Sequence, residues 1–157
     1  MVELIGQSAP DFEIEFLNGD TKSLREIIKE NKIEMIGESE YEGKGKHTII
    51  LFYTSFSLPS VPEVKEMDEL ASEEMFVERV QFLLVNLETV ATAKKYADAK
   101  CLESAHVHGS SSMAGDLFKV TYIPHKAVLN QDGIIVKNAT GSDGSAISLR
   151  SIAEKLA

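Results

Sequence analysis

Apolar and acidic residues alternate along Phe12-Glu13-Ile14-Glu15-Phe16, the period of a strand with one buried face. Asn18-Gly19 supplies a tight turn after it, and Ser23 stands where it would cap a short helix over Leu24 to Lys29. From residue 31 to residue 47 no clean period survives. Glycines and charges there predict a loop with an exposed tip at Glu42-Gly43-Lys44-Gly45-Lys46. Thr48 to Thr54 is a continuous β-rich apolar run, as expected of a central strand buried on both faces. From Pro59 to about Arg79 the apolar positions Val61, Val64, Met67, Leu70 and Ala71 recur at spacings of three and four, which predicts an amphipathic helix. Pro59 and Pro62 are tolerable only in its first turn.

The pattern continues with a second buried strand over Val80 to Leu87 and a helix over Ala91 to Lys100. A weak strand covers Ala105 to His108, and Ser110 or Ser111 opens a short helix through Met113, Leu117 and Phe118. Lys126 to Leu129 and Ile134 to Lys137, joined around Asp132-Gly133, read as a hairpin. A closing helix is expected from about Ser145 to Leu156, with Ile147, Leu149, Ile152 and Leu156 apolar. This order predicts an α/β fold with a central mixed sheet flanked by helices on both faces and an N-terminal β extension.

Composition narrows the function classes. At 157 residues the chain has the size of one domain, able to bury a core without staples. Its formal net charge of −9 opposes binding to a phosphate backbone, so no nucleic-acid partner is expected. The longest apolar runs are strand-sized, and Met1 to Pro10 lacks a basic start and a long apolar stretch. Neither membrane insertion nor a signal peptide is therefore expected, and the reading is a soluble intracellular protein. Cys101 is the single cysteine, which excludes a disulfide within the chain. The glycines near residue 43 lack the spacing of a nucleotide phosphate loop.

At the end of the central strand stands Phe52-Tyr53-Thr54-Ser55-Phe56-Ser57-Leu58-Pro59-Ser60. It resembles the active-site segment of the thioredoxin-like superfamily, F-W-A-T-W-C-G-P-C, without a gap. Ser57 and Ser60 then stand at the two cysteine positions. Val120-Thr121-Tyr122-Ile123-Pro124 is similar to the V-x-x-I-P that carries the superfamily's cis-proline, and Asn130-Gln131-Asp132-Gly133 resembles the turn between its last two strands. Ile5 to Phe12 is similar to the start of extended members, the membrane-anchored thiol reductases and the peroxiredoxins.

The resemblance implies a thioredoxin-like fold over nearly the whole chain and, with cysteines present, thiol–disulfide oxidoreductase activity. That chemistry needs an ionised thiolate and a resolving thiol. Serine offers neither, so two readings stand. One is a redox-inactive member acting as a protein-binding, scaffold or chaperone-like module. The other is an oxidoreductase whose cysteines have been changed to serine. Aligned with a one-residue gap, Phe56 to Ser60 also resembles the peroxiredoxin F-T-x-x-C segment, with Ser60 at the peroxidatic cysteine. No catalytic pair is intact on either alignment.

The resemblance implies a shallow groove bordered by Phe56, Leu58, Pro59, Ile123 and Pro124, in which an extended protein or peptide partner adds as a strand. Ser57 and Ser60 are expected to cap the helix they precede. A hydrolase built on Ser57 would need His125 as its base. His106-x-His108 would place two imidazoles on one face of a strand. That is a metal-ligand geometry without an evident third ligand, so an exposed edge pair is expected, with no metal or cofactor. Cys101 is expected to be a small buried apolar residue. Met67, Met75 and Met113 are expected in the core, and the glutamates from Glu63 to Glu74 on a solvated helix face.

Overall fold

A computed structural model describes residues 4–140 and 148–157. Its seven-stranded sheet runs in the order β2-β1-β7-β6-β5-β8-β9. The outer strands on one side are β1 (Glu13–Phe16) and β2 (Thr21–Ser23), the N-terminal extension. The parallel centre is β5 (His47–Tyr53), β6 (Val80–Asn86) and β7 (His108–Ser110). The antiparallel pair β8 (His125–Leu129) and β9 (Ile135–Thr140) completes the other side. This is the thioredoxin-like α/β architecture.

Alternation along β5 builds two cores. Ile49, Leu51 and Tyr53 point to one face. There they meet Val64, Met67 and Leu70 of α2 (Val61–Leu70), Phe76 of α3 (Glu74–Val77), Tyr96 of α4 (Val90–Lys100) and Ile152 of α6 (Leu149–Leu156). Ile50 and Phe52 point to the other, against Leu24 and Ile27 of α1 (Leu24–Glu30) and Ala114 of α5 (Ala114–Leu117), with the Phe12 and Phe118 rings tilted against Phe52. Each large side chain so buried contributes about 1.5–3 kcal/mol by leaving water. Ser23 caps α1 through a full capping box with Glu26. Among the described residues no helix is long and apolar enough to cross a membrane.

Several expectations are corrected. Residues 31–47 are not all loop: β3 (Ile33–Ile36) and β4 (Ser39–Glu42) form a hairpin turning at Gly37, whose φ is 65°. Every residue of both strands is exposed, so backbone pairing alone leaves no buried face to produce a period. The helix from 59 to 79 is three pieces: a 3-10 turn over Leu58–Ser60, α2 and α3. The break follows Ala71, where Ser72 donates its hydroxyl to the Glu69 carbonyl at 2.8 Å. The weak strand lies later than expected, at His108–Ser110. Gly109 is required there, because a Cβ would sit 2.5 Å from the Glu15 carbonyl oxygen of neighbouring β1. Ser110 therefore belongs to β7, and the short helix begins at Ala114.

Met67 is buried as expected, but Met75 and Met113 are 62% and 66% exposed. Cys101 is exposed, not buried. It ends α4 in the left-handed conformation, with φ 57°. The expected start of the closing helix at Ser145 and Ile147 lies outside the described residues, and α6 is seen from Leu149, capped by Ser148.

Candidate functional site

The parallel strands β5 and β6 end at the same edge of the sheet, and antiparallel β8 begins there with His125 opposite Phe52. The turn after Tyr53 and the segment before His125 therefore leave adjacent strands side by side. This brings together the six-residue stretch from Ser55 to Ser60 and the Tyr122-Ile123-Pro124 segment, whose Ile123–Pro124 peptide bond is cis.

Prolines shape the turn. Pro59 and Pro62 occupy starting positions of the 3-10 turn and of α2, where a missing N–H costs nothing. The chain enters through Ser57 N–H donating to the Thr54 carbonyl and Ser60 N–H donating to the Ser57 carbonyl, each at 3.2 Å. Neither serine caps with its side chain, contrary to expectation. The Ser60 hydroxyl instead donates to Ser57 Oγ at 2.9 Å, so the two side chains face each other across the turn. Ser60 is buried and Ser57 half-buried.

The rim is apolar and open. Phe56 and Leu58 are both 81% exposed and Pro59 is exposed, while Ile123 is half-buried and Pro124 buried. Tyr122, 71% exposed, belongs to the same segment and was not singled out by the sequence.

Three further groups hold the turn in place through contacts that chain spacing does not reveal. Glu88, just past β6, accepts the Ser55 N–H at 2.6 Å, and Asn86 donates its side-chain amide to Ser55 Oγ at 3.0 Å. Below the turn, Lys126 on β8 donates to Glu63 in the first turn of α2; the lysine side chain is 3% exposed and the glutamate 20%. The acidic face of α2 is thus not wholly solvated.

Of the three histidines raised by the sequence, His125 and His108 are buried and His106 is exposed. His125 sits with its ring on Phe52, on the face opposite Tyr53, and its Nε2 pairs with Asn138 Oδ1 at 2.6 Å. Burial pushes its pKa down, against the bond to Asn138. It makes no bond to Ser57, so no nucleophile–base pair is assembled.

His106 and His108 do not share a strand face. His106 is exposed outside β7, and His108 is buried with its Nε2 against the Tyr53 hydroxyl. Burial lowers the His108 pKa to about 4, opposed by the charge of Asp68. Burial likewise raises the Tyr53 phenol. Among the described residues no group of three or more histidine, cysteine or acidic side chains is placed to hold a metal. Cys101 ends the 11-residue α4, whose start lies beside the turn, so its thiol stands about 16 Å down the helix from that edge.

The AhpC/TSA family model matches residues 5–138. No curated protein matches the chain. Among solved structures, the thioredoxin domain of a thiol-disulfide oxidoreductase from Bacteroides vulgatus is similar with TM-score 0.68 at 14% identity, covering 98% of each chain. A thiol-disulfide oxidoreductase from Bacteroides fragilis gives 0.68 at 15% identity, over 96% of this chain and 100% of that one. The exposed lipoprotein thioredoxin of Streptococcus pneumoniae gives 0.63 at 19%, over 94% and 100%. At these identities the likeness shows the fold.

Proposed function

The chain belongs to the AhpC/TSA family, and from that premise we propose that it is a redox-inactive member that binds extended protein segments beside Pro124. One observation carries the reading: two serine hydroxyls, at the positions that the resemblance gives to the two cysteines, bond to each other at 2.9 Å beneath an open apolar rim. A serine hydroxyl at a helix start is not ionised near neutral pH and forms no mixed disulfide. Phe56, Leu58, Pro59, Ile123 and Pro124 supply apolar contact, and the backbone at residue 123 supplies strand pairing. Neither contribution involves sulfur.

The test uses reduced and alkylated insulin B chain as an extended probe. The protein should bind it, Ile123→Glu should abolish binding with far-UV circular dichroism unchanged, and insulin reduction should stay at the no-protein blank. Unaltered binding by Ile123→Glu would overturn the groove reading.

A second reading, an oxidoreductase in which two cysteines have been changed to serine, is favoured by the way the two side chains face each other. Ser57→Cys with Ser60→Cys should place the β-carbons within disulfide range, about 3.5–4.5 Å, and close an intramolecular bond. Insulin reduction at a rate typical of a dithiol enzyme supports this second reading. A closed bond with little turnover supports the first.

A further inference from the structure

A cavity of about 670 Å³ opens beside the serine turn, between the start of α4, the end of β7 and the outer face of β1. Four carboxylates line it: Asp11, Glu13, Glu15 and Glu88. None of its lining residues is basic, and among the described residues none of the four forms an ion pair. Two of them are fixed from behind, Asp11 by the Arg25 N–H at 2.9 Å and Glu88 by the Ser55 N–H at 2.6 Å. Glu13 and Glu15 project from the exposed face of β1.

A second observation is independent of charge. Ser110 and Ser111 line the same cavity and are only 5% and 8% exposed, yet neither hydroxyl has a hydrogen-bond partner among the described residues. Both are held rigidly. Ser110 lies in β7 opposite Glu15 and Asn86, and Ser111 N–H donates to the Asn86 carbonyl at 2.9 Å. Both residues are more than nine-tenths buried, and what remains exposed of them opens into the cavity, where two hydroxyls without a protein partner are available to a polar guest. An anion is excluded by the carboxylates, and the start of α4 offers it little, since Thr89 already accepts the Thr92 N–H. Val90, Met113 and Leu117 add an apolar wall.

We propose that this cavity binds an aliphatic ammonium ion, either a free polyamine or a lysine side chain presented by a protein. The carboxylates take the charge, the serine hydroxyls accept from the N–H groups, and the apolar wall covers the methylene stem. The site shares Glu88 with the serine turn but does not depend on the groove reading.

Calorimetric titration at physiological ionic strength, with spermidine and with Nα-acetyl-lysine methylamide, tests it. Saturable one-to-one binding of at least one probe is expected. Glu13→Gln with Glu15→Gln, both exposed and tolerant, should weaken it about tenfold or more by removing charge-assisted hydrogen bonds. Ser111→Leu keeps every carboxylate but fills the cavity, and should abolish saturation. Glu34→Gln with Glu40→Gln removes the same charge from the β3–β4 hairpin and should change nothing, which separates a built site from the pull of the overall negative charge. Saturation by spermidine alone assigns a free polyamine; saturation by the lysine probe assigns a protein side chain. Absence of saturation by both probes overturns the proposal. So does equal weakening in the hairpin control, or wild-type affinity in the Glu13/Glu15 variant.

Discussion

Ser57–Ser60 and Glu63–Lys126 are neighbouring polar pairs, the first within the turn and the second joining the first turn of α2 to β8, and they differ in what their loss would leave behind. The serine pair is neutral and one member is half in water, so breaking it strands no charge. The second pair locks a lysine that is 3% exposed under the first turn of α2. Removing the glutamate leaves that ammonium without its counter-charge in a place water does not reach. The chemistry of the turn is therefore free to change at little cost to the fold, while the ion pair beneath it ties helix to sheet.

The largest expected effect breaks the charged pair. Glu63→Ala should destabilise the protein by on the order of 3–5 kcal/mol, read as a lowered urea midpoint with unchanged slope. Lys126→Met leaves only Glu63, which is one-fifth exposed and can turn to solvent, so its cost should be about 1–2 kcal/mol. Equal losses in the two variants would remove the asymmetry on which the comparison rests.

The Tyr53–His108 pair lies between these extremes, because it is neutral at neutral pH and acquires charge in acid. The buried imidazole has its pKa lowered from 6.5 to about 4, so the unfolded chain takes up a proton before the folded one does. Stability is therefore full above pH 6.5 and declines as pH falls towards 4, by about 3 kcal/mol from this group. His125 shifts in the same direction and adds to the slope. His108→Asn should flatten the fall between these limits relative to the wild type, as measured by urea unfolding across the range. An unchanged slope would show that His108 does not stay neutral in the folded protein.

How much of this was legible follows from what each residue's neighbours in sequence could reveal. The unbroken apolar run from Ile49 to Tyr53 has one explanation, a strand covered on both faces, and the elements after it follow in the order that its fold requires. The β3–β4 hairpin was illegible because none of its residues is buried and its apolar positions, Ile33, Met35 and Ile36, face water. Cys101 misled because a small thiol reads as apolar filling, whereas its position is set by helix termination. His108 was placed on an exposed edge because nothing local shows that β1 pairs outside β7 and encloses it. At the turn, the serines and the apolar rim were readable from position. Glu88, Asn86 and Lys126 were not, since each reaches the turn from a distant part of the chain.

The smallest expected effect belongs to the serine pair itself. Ser60→Ala removes one neutral hydrogen bond and leaves Ser57 Oγ half-buried, where water can replace the lost donor. The cost should be about 0.5–1.5 kcal/mol, the range of a single neutral bond. Ser57→Ala removes the acceptor instead and leaves the fully buried Ser60 hydroxyl unpaired, so its cost should fall at the upper end of that range. The double variant removes both groups and strands neither, so it should cost less than the sum of the two singles, a coupling that a double-mutant cycle on urea midpoints measures directly. Strict additivity would mean that the two hydroxyls do not interact in solution. The turn would then be held by its backbone and by the contacts of Glu88 and Asn86 with Ser55.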